Sequence, residues 1–162
     1  LPPGAGQLFD KAIQKYLRVM RQVERLGEDW SNLPRELQRE MDDVRELFEQ
    51  AAEQNHAVAQ YILGLMYAQG QGVAQDWTKA REWYELAAAQ GDAPAISNIG
   101  AMYLAGMGTE QDLNEAMRWF LKAKAHGADV TQQVAAVMEE RKMQNVHHSH
   151  KTRIPEPTPG AE

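Results

Sequence analysis

Residues 57–72 read Ala57-Val58-Ala59-Gln60-Tyr61-Ile62-Leu63-Gly64-Leu65-Met66-Tyr67-Ala68-Gln69-Gly70-Gln71-Gly72, and the pattern they begin returns 36 residues later. Laid over 93–128 without a gap, the segment 57–92 matches at fourteen of 36 positions. Four of the matches are glycines (Gly64/Gly100, Gly70/Gly106, Gly72/Gly108, Gly91/Gly127). Others are Met66/Met102, Tyr67/Tyr103, Asp76/Asp112, Trp83/Trp119 and a register of alanines, with Tyr84/Phe120 a conservative change. Self-similarity at a fixed period of this length is the signature of a repeat architecture, in which each unit buries its apolar face only by stacking on its neighbours.

Each unit reads as two helices. The first, from Ala57 to Gln69, places Ala59, Leu63, Met66 and Tyr67 at helical spacing. Gly64 inside it costs about 1 kcal/mol relative to alanine, which implies close approach by a partner helix. Gly70-Gln71-Gly72 ends it. Asp76 and Asp112 are N-caps for the second helices, since a carboxylate accepts from orphan backbone N–H groups, and Glu115 completes an expected capping box. Ala80, Trp83/Tyr84 and Ala87 then alternate small and large, with Gly91 and Gly127 as expected C-caps.

The period extends backward. Val44, Leu47, Phe48 and Ala51 lie 36 before Ala80, Trp83, Tyr84 and Ala87, so residues 35–55 read as the second helix of a degenerate unit, started by Ser31-Asn32-Leu33-Pro34. Residues 7–26 supply its first helix, with Phe9, Ile13, Tyr16, Met20 and Val23 as one apolar stripe. After Gly127, Val130, Val134 and Val137/Met138 mark a capping helix at 129–145. The expected organisation is a single domain over 7–145, comprising units 7–56, 57–92 and 93–128 and the cap, with flexible tails at 1–6 and 146–162. The class is all-α: a short α-solenoid of antiparallel helix pairs, about three units long.

Composition narrows the function. A net charge of −6 leaves no footprint for nucleic acid. The absence of cysteine removes disulfides and thiolate metal sites. No apolar run reaches the ~18 residues of a membrane span. Gly70-x-Gly72 lacks both the preceding strand and the Lys-Ser/Thr of a phosphate loop, so it reads as a turn. His147, His148 and His150 offer at most weak, adventitious metal contact, and neither a metal nor any other cofactor is expected. His56 and His126 fall at helix ends, where a cation would complement the dipole. No catalytic residue is assigned, because Ser31, Ser97 and Ser149 have no supporting base. The start at Leu1 reads as a processed or trimmed terminus, and an exported or periplasmic protein is slightly favoured over a cytoplasmic one.

The pattern Ala-x-Ala-x3-Leu-Gly-x-Met-Tyr-x2-Gly-x-Gly-Val-x2-Asp-x2-Lys-Ala-x2-Trp-Tyr-x2-Ala-Ala-x2-Gly, from Ala57 to Gly91, resembles the Sel-one-like repeat (SLR), a relative of the tetratricopeptide repeat. The second unit departs at Thr109, Glu115 and Lys124. The resemblance implies a right-handed stack with a concave face, and an adaptor or scaffold role, often in bacteria and in the cell envelope or secretion. It also implies inhibitors or immunity partners of toxins as an alternative. In such solenoids the first helix of each pair lines the concave face, and positions that vary between units are the expected contacts. In unit one these are Val58, Tyr61, Leu65, Ala68 and Gln69; in unit two they are Pro94, Ser97, Ala101, Leu104 and Ala105, with Asn98 beside them.

Tyr61 and Leu65 are the expected anchors for a protein or peptide partner, the competing reading being that they pack on the preceding unit. A monomer is expected. The competing use of residues 7–26 is a coiled-coil seam, and the basic residues Lys11, Lys15, Arg18, Arg21 and Arg25 read as a solvated face or as contacts to an acidic partner.

Overall fold

A computed structural model describes residues 2–151. Seven α-helices follow one another in the described residues, with no strand: α1 (Ala5–Leu26), α2 (Arg35–Glu53), α3 (Ala57–Gln69), α4 (Trp77–Ala89), α5 (Ala93–Ala105), α6 (Leu113–Ala125) and α7 (Thr131–Lys151). The pairs α1–α2, α3–α4 and α5–α6 pack most extensively, and each pair touches the next through α2–α3 and α4–α5. This is the α-solenoid expected from the period.

The repeated residues make repeated contacts. A methyl group on Gly64 would overlap the ring of Tyr84, and one on Gly100 would lie 2.8 Å from the ring of Phe120. The glycine in each first helix therefore seats the aromatic ring of its own second helix, and both rings are buried. The glycines of the turns join units. Gly72 (φ +70°) lies against Met41 of the preceding pair, and Gly108 (φ +68°) lies against Trp77. Met41 and Trp77 are 36 residues apart, so one inter-unit contact is built twice. Asp76 accepts from the backbone N–H of Lys79, and Asp112 from Asn114 and Glu115. Glu115 makes no return bond; its carboxylate pairs with Arg118.

The first unit is joined as firmly as the others. Asn55 takes φ +66° at the position that Gly91 and Gly127 hold in the later units, a conformation asparagine tolerates better than most residues. Arg45–Glu49 repeats as Arg81–Glu85, again 36 apart. Buried Gln60 donates to the Ala52 carbonyl (3.1 Å) and accepts from Gln90 (2.9 Å), linking α2, α3 and the end of α4.

Several expected boundaries move. Helix α1 starts two residues before 7, capped by Gly4 and Gln7. Its buried line is Leu8, Ala12, Tyr16, Val19 and Val23; Phe9 and Ile13 are half-buried and Met20 is 36% exposed. The stripe is thus rotated from the expected one, because α2 covers one flank of α1. Pro34 is itself the N-cap of α2, preceded by a short 3-10 turn at Trp30–Asn32. Gly91 and Gly127 fall one residue after the C-caps Gln90 and His126. Helix α7 does not stop at 145 but continues through Lys151, since no residue there breaks the helix before Pro155. The expected flexible tail is therefore helical over 146–151, and its remainder lies outside the described residues.

Candidate partner-binding face

The candidate contact residues lie on α3 and α5, at corresponding positions of the two units. Spacings of three and four residues put them on one face of each helix. On α3, Val58 is 43% exposed, Tyr61 and Leu65 are half-buried, and Gln69 is exposed. On α5, Pro94, Ala101 and Ala105 are exposed, while Ser97, Asn98 and Leu104 are half-buried. Ala68, also among the varying positions, is buried in the second core cluster and contributes packing only.

Tyr61 and Leu65 are the two residues whose role sequence left open. Leu65 packs on the second core cluster, whose residues come from its own unit, the following one and α7, and not on the first cluster. Tyr61 packs on both clusters. Its ring centroid is 6.0 Å from that of Tyr84. Asn98 of the next unit sits by both hydroxyls and counters part of the rise in their pKa. Asn98 is half-buried at this joint between units. Gln69 is likewise engaged: it accepts from Gln71, which accepts from the buried Tyr16 hydroxyl (2.7 Å each).

Burial raises the hydroxyl pKa of Tyr61 and pushes that of Tyr84 up to about 12; the hydrogen bond from Asn98 offsets part of the effect, and Asp92 and Tyr61 respectively add to it. The folded state holds these protons more tightly than the unfolded chain does. Stability contributed this way is full below pH 10, the ordinary tyrosine value, and is lost as pH rises toward 12. A phenolate absorbance titration is expected to show a late-ionising component that loses its latest part, near pH 12, in Tyr84→Phe.

Other candidates resolve structurally. His56 is the N-cap of α3, its Nδ1 accepting from Ala59 N–H (3.2 Å) and its ring stacked on Phe9 at 4.4 Å. It acts as an acceptor at a helix N-terminus, so the expected cation–dipole role is corrected. His126 is the C-cap of α6. Lys15 and Arg18 pair with Asp43 and Glu40 of α2, so part of the basic face of α1 is neutralised within the chain. Among the described residues no cluster of three His, Asp or Glu side chains is placed to hold a metal, and no helix is long and apolar enough to cross a membrane.

The helix pairs, the glycine-seated rings and the repeated turn contacts have a counterpart in known proteins. The family model of the Sel1 repeat matches residues 45–56, 57–92 and 93–127. The chain belongs to the Sel1 repeat family. The partial match at 45–56 covers the end of α2 and the Asn55 turn, the most repeat-like part of the degenerate unit. Two solved bacterial structures share the fold. The Sel1 repeat protein from Oxalobacter formigenes is 27% identical with a TM-score of 0.58, over 76% of this chain and 44% of that one. The protein c5321, a protective antigen of uropathogenic Escherichia coli strains displaying an SLR fold, is 32% identical with a TM-score of 0.57, over 82% of this chain and 27% of that one. The chain thus spans less than half the length of either. No curated protein matches it. Sel1 repeats mediate protein–protein interaction.

Sequence reading missed the link that Gln60 makes between units. The signal for Gln60 was a glutamine among the apolar core positions of α3.

Proposed function

We propose that this Sel1 repeat chain is a non-enzymatic binding module that takes a protein or peptide on the concave side formed by α3 and α5. The observation that carries this reading is the partial exposure of Val58, Tyr61 and Leu65 on a rigid support. Tyr61 is held by Tyr84 and both core clusters, and Leu65 by the second. Anchors fixed in advance lose little side-chain entropy on binding, which concentrates binding energy in a few residues. The two bacterial structures, one described as a protective antigen, support a bacterial origin for the module.

Use of the N-terminal helix as an oligomerisation seam is less well supported, because α1 spends Leu8, Ala12, Tyr16, Val19 and Val23 on its own core. The test is the double variant Tyr61→Ala/Leu65→Ala, checked for helicity by circular dichroism. It is expected to weaken a selected partner peptide by at least about tenfold, the loss of one anchor's binding energy. Unchanged affinity in a folded double variant contradicts the reading.

A further inference from the structure

The two helices that form the candidate face differ from all the others in charge. Helices α3 (AVAQYILGLMYAQ) and α5 (APAISNIGAMYLA) contain no Asp, Glu, Lys, Arg or His. The chain as a whole is 25% charged, and α1, α2, α4, α6 and α7 each carry both signs. Burial alone does not explain the difference. Val58, Gln69, Pro94, Ala101 and Ala105 are all exposed, and surface positions are where charged residues ordinarily collect. The ion pairs found in the described residues lie on α1–α2, α2, α4, α6 and α7.

From this we infer that the partner segment bound on α3 and α5 is uncharged over its contact stretch and presents bulky apolar side chains. The inference rests on the binding face proposed above and specifies its partner. A charged side chain pressed onto this face would lose hydration and find no opposite charge on either helix, at a cost that contact area does not offset. An apolar side chain meets no such penalty. The relief of the face supports the same occupant. The positions of the large Tyr61 and Leu65 on α3 are taken on α5 by the small Ser97 and Ala101, 36 residues on.

The test is selection of random peptides displayed on phage against the whole purified chain, followed by fluorescence polarisation with the synthetic peptides recovered. Expected are sequences with an uncharged apolar core, whose affinity changes less than about twofold between roughly 50 and 500 mM NaCl, a range over which exposed charge pairs are strongly screened. Ala101→Asp, with helicity intact, is expected to weaken them by on the order of tenfold. Recovered peptides with charged cores and steep salt dependence that still lose affinity in Tyr61→Ala/Leu65→Ala overturn the uncharged partner while leaving the binding face in place. Peptides indifferent to Ala101→Asp and to the double variant alike overturn the face itself. A library that yields no peptide binder overturns both.

Discussion

Gly64→Ala is expected to destabilise the chain by about 1–3 kcal/mol, although alanine for glycine inside a helix ordinarily gains about 1 kcal/mol. The sign reverses because the added methyl group overlaps the Tyr84 ring. That ring cannot step aside: it is 2% exposed and lies against Tyr61. Gly100→Ala meets Phe120 in the same way, at 2.8 Å. Urea denaturation measures both. A smaller ring-side residue supplies the control: Gly100→Ala combined with Phe120→Leu should recover part of the loss, since the clash and the cavity compensate. A single alanine variant whose midpoint is unchanged or raised would show that the helices are not as close as described.

Phe48→Ala is expected to cost about 3–5 kcal/mol, the range for removing a fully buried ring. Phe48 is 0% exposed, and its ring meets those of Phe9 and Tyr16 at centroid distances of 5.9 and 6.0 Å. The larger consequence is cooperative. Met41 against Gly72, and Gln60 bridging Ala52 and Gln90, tie the degenerate unit to the complete repeats. Loss of Phe48 should therefore lower a single unfolding transition of the whole chain. Two separated transitions, with the signal from residues 57–128 unmoved, would mean that the first unit is an appendage.

The fold was legible because its period is carried by residues with one structural meaning each. A glycine beneath a ring, a glycine in a turn and an aspartate at an N-terminus return 36 residues apart and return to the same contacts. The degenerate unit was legible through Val44, Phe48 and Ala51. Its further signals are the identical pairs Arg45/Arg81 and Glu49/Glu85, and Asn55 in the place of Gly91, a substitution that identity matching passes over.

The ends were less legible. Helix α7 continues to Lys151 on ordinary helix-compatible residues, and its histidines and serine carry no stop signal. The rotation of the buried line on α1 could not be read either, since Phe9, Ile13 and Met20 form as good an apolar line as Leu8, Ala12 and Val19. Only the placement of α2 decides between them.

The candidate face was half legible. Variation between units pointed to Tyr61, Leu65, Ser97 and Ala101, all of which retain some exposure. The same reading could not tell that Leu65 packs on the second core cluster and not on the first, or that Asn98 sits by two tyrosine hydroxyls. Both depend on the offset between successive helix pairs, which the pattern of one unit does not encode. The absence of charge from α3 and α5 was visible in the sequence throughout. It acquired meaning only once exposed positions on both helices were known.

The most direct test of a partner face on α3 and α5 is nuclear magnetic resonance mapping of a selected peptide on the isotopically labelled chain. The methyl signals of Val58, Leu65, Ala101 and Leu104 should move together and saturate with one affinity, while Leu86 and Leu121, exposed on α4 and α6, stay in place. Shifts centred on Leu86 and Leu121, with the four methyl-bearing residues of α3 and α5 unmoved, would contradict it.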